Sequence, residues 1–437
     1  MSETTVAPLP STSTAMRRSE VATPSRTLVM KRHSGHGWLP SGLRTMADYS
    51  ILVPPPRRRG PLLIGLAVVV LVASVGVVAY MAGRHSPGSH SSPQAGGVVV
   101  PPTTVPAKVL TVVSTVPAAG ATEVPSDQVV SVKFSSAVSG ARGMPVLTPP
   151  IPGTWKRVGP TTLAFSASAP FIPTSSETLT VPAGDAGPQG ANGAVLTTPV
   201  SVSFTVAQAS TERLQQLLGQ LNYLPLSFTP TSSLSSPNEA ATAQSGTFAW
   251  RWPGTPVSLT SLWTEGSENL ITKGAVMNFE NQHGLKVDGL AGSQVWSALL
   301  ADLVAARVNT NAYNYVVVSK QVPENLTLYS NGTPVLADIA VNTGAPGADT
   351  TDGTYPVFEH VTSSRMQGTN PDGSTYDDPN VPWASYFNNG DALHGFVRAT
   401  YGTPQSNGCV EMPIADAAKV WPLTPLGTLV TVAGPAS

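Results

Sequence analysis

The chain has one cysteine, Cys409, in 437 residues, so no intramolecular disulfide framework can hold it together. Charge is scarce as well. Asp, Glu, Lys and Arg make up 11% of the residues, against roughly 25% in an average soluble domain. Pro, Gly, Ser, Thr, Ala and Val fill the gap, a mixture that suits turn-rich β modules and argues against a helical cytosolic enzyme. The folded part also lacks a basic patch, which excludes a nucleic-acid binder. The net charge of −1 is unevenly placed: residues 1–60 carry nine Lys or Arg against Glu3, Glu20 and Asp48, which leaves −7 on the remainder.

Residues 61–82 have no charge at all. As a helix they would span about 33 Å, enough for a bilayer core. Arg57, Arg58 and Arg59 stand directly before the run, and only Arg84 follows it before Lys108. The excess of positive charge on the cytoplasmic side predicts an uncleaved single-pass anchor over 61–83, with residues 1–60 inside and the rest outside. The run is too long and starts too late for a cleaved signal peptide. Residues 1–60 have no hydrophobic periodicity and read as a disordered cytoplasmic tail. Residues 84–107, rich in Ser, Pro and Gly, read as a spacer.

The outer part divides into three. In 108–207 the stretches VVSVKF (129–134) and VSVSFTV (200–206) alternate, Pro/Gly/Ser clusters separate the strands, and no helix-period run appears. This predicts an immunoglobulin-like sandwich. In 210–305 TERLQQLLGQLNYL (211–224) spaces Leu214, Leu217, Leu218 and Leu221 as on one helix face, with Thr211 as its expected N-cap. A second run, 271–284, precedes LKVDGLAGSQVWSALL. Residues 225–270, holding Trp250, Trp252 and Trp263, interrupt the pattern. Residues 311–433 return to β. Asn331-Gly332 between alternating runs is a strong hairpin signal, and the polar stretch 363–382 reads as a long loop, a candidate lid.

Cysteine chemistry needs a thiolate, and an imidazole can take the thiol proton. His394, in ALHGF, precedes Cys409, in SNGCVEM, by fifteen positions. Gly408 permits close backbone approach, and N–H groups around Cys409 could hold an oxyanion. His360 reads as a satisfied face residue on a strand, and His283 as a cap or surface residue of the helical part.

These residues carry a resemblance. From His394 through PQSNGCVEM to GTLVTV the chain is similar to the active-site stretch of L,D-transpeptidases, with His394, Gly395, Ser406, Gly408 and Cys409 on the pattern. The hairpin, GTYPVFE and VPWASYF fit the same layout. Two positions depart: Asn407 stands where the family has a second histidine, and Glu411 where it often has Arg or Asn. TVPAAGATEVPSDQVVSVKFSSAV (115–138) resembles the opening of bacterial Ig-like modules. FENQHGL, VDGLAG and VWSALL resemble a peptidoglycan-binding-like helical module.

The uncharged run and the resemblances together predict a multidomain, mainly β protein: one transmembrane helix, an Ig-like β-sandwich, a small helical module and a C-terminal β-rich L,D-transpeptidase catalytic domain. The resemblance to L,D-transpeptidases implies peptidoglycan stem peptides as substrates, Cys409 as nucleophile and His394 as base. The product would be a crosslink between third residues, with D-Ala released, no cofactor or metal needed, and carbapenems as covalent inhibitors. Ser406, Asn407, Gly408 and Gly395 would shape the site, and Tyr376, Trp383 and Met366 could line the donor groove. Two alternatives stay open: water as acceptor, giving a carboxypeptidase, and a decayed wall-binding scaffold. A sortase needs an Arg after the Cys and a papain-like peptidase places Cys before His; neither order is present.

Overall fold

The structure, a computed structural model, describes residues 26–29, 108–139 and 143–434. The expected anchor, the spacer before residue 108 and all of the expected tail except Arg26–Val29 lie outside the described residues. Among the described residues no helix is long and apolar enough to cross a membrane.

Residues 108–206 form two sheets over one core. A four-stranded sheet runs in the order Val112–Val116, Val130–Phe134, Thr162–Ala167 and Gly153–Gly159; a three-stranded one has Val200–Thr205, Ser176–Val181 and Val146–Thr148. The alternation seen in the sequence is the pleat itself: Val130, Val132 and Phe134 point inward to meet Val202 and Phe204. Ser201 and Ser203 face outward, bonding Thr180 and Thr178 across the ladder at 3.3 and 3.0 Å. Each inward Val or Phe contributes about 1.5–3 kcal/mol by burial.

The helices are α1 (Thr211–Gln220), α2 (Leu270–Gln282) and α3 (Ser293–Ala305). Ser210, not Thr211, caps α1: its backbone is extended and its Oγ accepts from Arg213 N at 3.1 Å, so Thr211 becomes the first helical residue. The stretch between α1 and α2 is a hairpin, Leu226–Pro230 with Gly246–Trp250, plus one helical turn. Its tryptophans pack. Trp263 meets Phe248 at 5.2 Å, and a side chain on Gly332 would collide with Trp252.

The C-terminal domain has two five-stranded sheets. The first uses β1 (Asn314–Ser319), β2 (Asn325–Ser330), β3 (Thr333–Ala340), β4 (Gly353–Pro356) and β9 (Leu429–Ala433), in the order β3-β2-β1-β9-β4. The second uses β5 (Glu359–Thr369), β6 (Thr375–Asn388), β7 (Asp391–Gly395) and β8 (Val410–Met412), in that order, with Arg26–Val29 paired parallel on the outer edge of β5. Helix α4 (Ile414–Val420) follows β8. Asn331 and Gly332 both take positive φ, closing the β2–β3 hairpin as the sequence signals.

Strand alternation then fixes the layers. On β1, Tyr315 and Val317 face the helices, while Val316 and Val318 face a core shared with Phe387, Leu393, Val410 and Met412 of the second sheet. The far face of that second sheet carries Met366, Tyr386, Ala392 and Cys409.

The expected loop over 363–382 is instead the outer half of the β5–β6 hairpin, turning at Asn370–Ser374. Its polar composition has a physical cause. This half of the hairpin extends past the shared core, so both its faces tolerate polar residues, and Arg365 pairs with Asp377 across it. The Asn-Pro-Asp-Gly-Ser turn is the signal that was legible for it.

Candidate active site

Strands β7 and β8 run parallel with Leu393 opposite Val410 and His394 opposite Glu411. Cys409 is the residue before Val410. Because side chains alternate and paired residues share a face, Cys409, Glu411 and His394 all project from the same side. Strand spacing sets His394 and Cys409 about 8 Å apart at Cα, two residues along and one strand across. Both side chains are buried.

His394 Nδ1 lies 3.1 Å from the Gly395 carbonyl. A carbonyl only accepts, so Nδ1 carries the hydrogen and Nε2 keeps its lone pair. Burial lowers the pKa of His394, so the ring is a neutral base. The Cys409 thiol donates to Gly390 O at 3.6 Å, and no hydrogen bond joins it to His394 among the described residues. Burial first, then the charge of Asp391, push the thiol up, partly offset by a hydrogen bond from the Ala392 backbone. The resting pair is therefore thiol and neutral imidazole.

Ser406 Oγ donates to Cys409 O at 2.5 Å and accepts from Gly408 N at 3.2 Å. The buried Thr350 hydroxyl donates to Gly408 O at 2.8 Å. These bonds fix the turn before Cys409. They also commit the Gly408 N–H to Ser406, contrary to the expectation of an oxyanion donor there, whereas the Cys409 N–H has no acceptor among the described residues. Gly408 sits at φ +116°, and a Cβ there would lie 2.5 Å from Asp391 Oδ1. Gly395 lies against α4, close to Ile414 and Ala417.

Glu411 is neutralised. Arg398 grips it with Nε at 2.7 Å and a second nitrogen at 2.8 Å, its guanidinium lying over the Phe396 ring. Asn407 Nδ2 donates to Asn370 Oδ1 at 2.7 Å, tying the tip of the β5–β6 hairpin to the turn before Cys409.

Of the suggested groove residues, Met366 and Tyr376 pack in the cluster with Cys409. Trp383 does not: it joins the shared core on the other face and meets Trp421 at 5.5 Å. Its positive φ, 63°, breaks the alternation that would have put it on the Cys409 side. His360 stacks on Trp421 at 4.0 Å and bonds its carbonyl at 2.8 Å. His283 closes α2, bonding Phe279 O and Asp302 at 2.9 Å each.

Sequence reasoning missed Asp391 and Arg398. Asp391 could have been noticed as an acid opening the strand of His394. Arg398 had no signal, since only the β7–β8 register brings it to Glu411. Asp391 is partly exposed, takes one long bond from Asn388 Nδ2 at 3.3 Å, and is pushed up by burial to about 7.

Residues 313–432 match the L,D-transpeptidase catalytic domain family, and residues 106–206 match the bacterial Ig-like domain family. The chain thus carries an L,D-transpeptidase catalytic domain preceded by a bacterial Ig-like domain. Similar solved structures include an L,D-transpeptidase from Mycobacterium smegmatis, at 13% identity over 75% of this chain and 100% of that one, TM-score 0.25. L,D-transpeptidase 3 from Mycobacterium tuberculosis, in complex with a faropenem-derived adduct, is 13% identical over 74% of this chain and 97% of that one, TM-score 0.26. The catalytic domain of an E. faecium L,D-transpeptidase acylated by ertapenem is 23% identical over 29% of this chain and 99% of that one, TM-score 0.25. No curated protein matches the chain.

Proposed function

We propose that the protein is a cysteine-dependent L,D-transpeptidase that joins the third residues of two peptidoglycan stem peptides, with Cys409 as nucleophile and His394 as base. The observation that carries this reading is the β7–β8 register, which sets a neutral imidazole, its Nε2 without a partner among the described residues, and the sole thiol on one face of adjacent strands.

In the first half-reaction Nε2 takes the thiol proton as Sγ attacks the carbonyl of the third residue of a stem tetrapeptide. The Cys409 N–H faces the developing oxyanion. The imidazolium returns the proton to the departing D-Ala amine, leaving a thioester. Because burial holds the thiol up and the histidine down, proton transfer accompanies attack and no thiolate–imidazolium pair is stored beforehand. In the second half-reaction an amine from another stem attacks the thioester, and the Cys409 sulfur leaves. The uncharged run over 61–83 would anchor the chain, keeping the enzyme at high effective concentration beside a wall that cannot diffuse to it.

The test is to treat the full chain, purified in detergent, with a carbapenem and read the intact mass and the modified peptide. A single adduct on Cys409, slowed at least a hundredfold in His394→Ala, is the expected result. A folded protein that gains no adduct would refute the enzymatic reading and favour a wall-binding scaffold. Tetrapeptide assays then separate transfer from hydrolysis.

A further inference from the structure

We propose that Arg398 is a specificity-determining residue of the first half-reaction, the outer edge of its guanidinium receiving the terminal carboxylate of the leaving D-Ala. The inference rests on the transpeptidase reading above and adds to it the group that selects a donor with one free residue beyond the scissile bond.

Two sets of contacts bring the guanidinium to the site. Glu411 lies opposite His394 in the β7–β8 register and on the face of Cys409, and Arg398 holds its carboxylate with Nε at 2.7 Å and Nη2 at 2.8 Å. The same guanidinium lies 4.8 Å from the centre of the Phe396 ring. That ring meets the His394 imidazole edge-on at 6.0 Å and packs on the cluster that contains Cys409. The Glu411 side chain is 6% exposed and that of Arg398 is 31% exposed, so the guanidinium is the charged group that meets solvent at this rim.

A guanidinium has two edges that can each grip a carboxylate. Glu411 takes the edge formed by Nε and Nη2. The other edge, Nη1 with the second Nη2 hydrogen, has one long contact, 3.5 Å from Nη2 to the Gln405 carbonyl. Nη1 itself has no acceptor among the described residues. The fork is also held in place before any ligand arrives. Glu411 fixes the head, while Tyr401 Oη donates to Phe396 O at 2.5 Å and accepts from Arg398 N at 3.2 Å. Little side-chain freedom is then left to lose on binding.

Reach decides which carboxylate fits. Cys409 and Glu411 are two residues apart on one strand, about 7 Å. The guanidinium stands one hydrogen bond beyond the Glu411 carboxylate, which puts its outer edge about 8–10 Å from the sulfur. On the substrate side, attack brings sulfur and scissile carbon to about 3 Å. The carboxylate carbon of the next residue is about 3–4 Å further on, and a charge-assisted bond from its oxygen spans about 2.8 Å. The two paths match for a carboxylate one residue past the scissile bond. A second residue adds about 3.8 Å and carries the charge past the edge. A terminal amide has no charge and sets N–H donors against the guanidinium donors.

The experiment uses the full chain in detergent and two synthetic stem tetrapeptides that differ only at the last residue, D-Ala acid or D-Ala amide. Acyl-enzyme is read by intact mass over a range of donor concentrations. In wild type the acid should half-saturate at a concentration about tenfold or more below that of the amide. In Arg398→Gln with Glu411→Gln the ratio should fall to about one. Arg398→Lys, which keeps the charge and loses the fork, should retain part of it. Any effect of these changes on the base, or on packing alone, falls on both donors alike and leaves the ratio untouched. At saturating carbapenem the contact drops out of the rate, which then reports the base. A wild type that takes both donors equally well, or a preference that survives in the folded double variant, would overturn the inference and leave the transpeptidase reading intact. A wild type acylated by neither donor would overturn both. The wild-type comparison needs no variant, so it decides the matter even if the double variant does not fold.

Discussion

Removing Arg398 should disable the base at a distance. Its guanidinium holds the Glu411 carboxylate through two short bonds, and Glu411 is the register partner of His394. The two charges act on the imidazole with opposite sign: the carboxylate favours imidazolium and the guanidinium disfavours it. In the native site they largely cancel, which lets burial keep His394 neutral. In Arg398→Ala the carboxylate acts alone. Paired strands place it about 6 Å from the ring, where two unit charges at an effective dielectric constant near 20 interact by about 3 kcal/mol. That is roughly a hundredfold change in the protonation equilibrium. The shift is toward imidazolium, and the protonated fraction cannot accept the thiol proton.

The assay is the rate of carbapenem acylation of Cys409 from pH 5 to 9. Arg398→Ala should be slowed about tenfold or more near pH 7 and should recover as the pH rises and the imidazolium loses its proton. Arg398→Ala with Glu411→Gln should restore most of the neutral-pH rate, since no uncompensated charge remains. A single mutant that matches wild type at every pH would refute the electrostatic argument. So would one slowed equally at every pH, which would point to a purely structural role.

Three further outcomes follow from the same geometry. Asn407→Ala and Asn370→Ala each break the bond that ties the hairpin tip to the nucleophile turn; alkylation of Cys409 by iodoacetamide should rise several-fold in each, and the double mutant should rise no further than either single one. Trp383→Leu should leave carbapenem acylation within about twofold while lowering stability by about 1–2 kcal/mol, because the half-buried ring packs against the shared core. Asp391 has a folded pKa of about 7, raised from 3.8; the stability it contributes is complete below pH 4 and is lost as the pH rises through 7. Asp391→Asn should remove that slope from urea unfolding measured across pH 4–8.

The pair at the centre of the site was legible because it depends on short-range features. A histidine and a cysteine, each beside a glycine on an apolar run, lie in an order that adjacent parallel strands can bring together. The Asn331-Gly332 hairpin and the alternation of 129–134 were legible for the same reason: turn chemistry and pleat are local. The outer half of the β5–β6 hairpin was not. Only Met366, Tyr376 and Val381 of 363–382 pack on the far-face cluster, and the register shift between Ser364 and Met366 breaks their spacing, so the Asn-Pro-Asp-Gly-Ser turn had to be weighed without flanking alternation. Trp383 was misplaced because one residue at positive φ reverses which face follows it. Arg398 and Asp391 act through contacts across strand register, Arg398 to Glu411 and Asp391 to Gly408. No spacing within a single segment encodes such contacts.

The strand Arg26–Val29 raises a question of sides. The proposed anchor over 61–83 would put residue 26 in the cytoplasm and β5 outside, so one anchored molecule cannot pair them. The energies decide which arrangement holds. Residues 61–82 contain twelve Leu, Ile and Val, which favour insertion by about 0.3–0.6 kcal/mol each, roughly 5 kcal/mol together. Pairing four residues along one edge adds a few hydrogen bonds worth about 1 kcal/mol each and costs about 1–2 kcal/mol of backbone entropy per residue ordered, so it gains little. Insertion should win, leaving the β5 edge free in the anchored protein. An epitope tag at residue 1 should therefore survive protease added to intact spheroplasts and be lost only after detergent permeabilises them. Loss of the tag from sealed spheroplasts would place the N-terminus outside and make the Arg26–Val29 pairing the working state of the catalytic sheet.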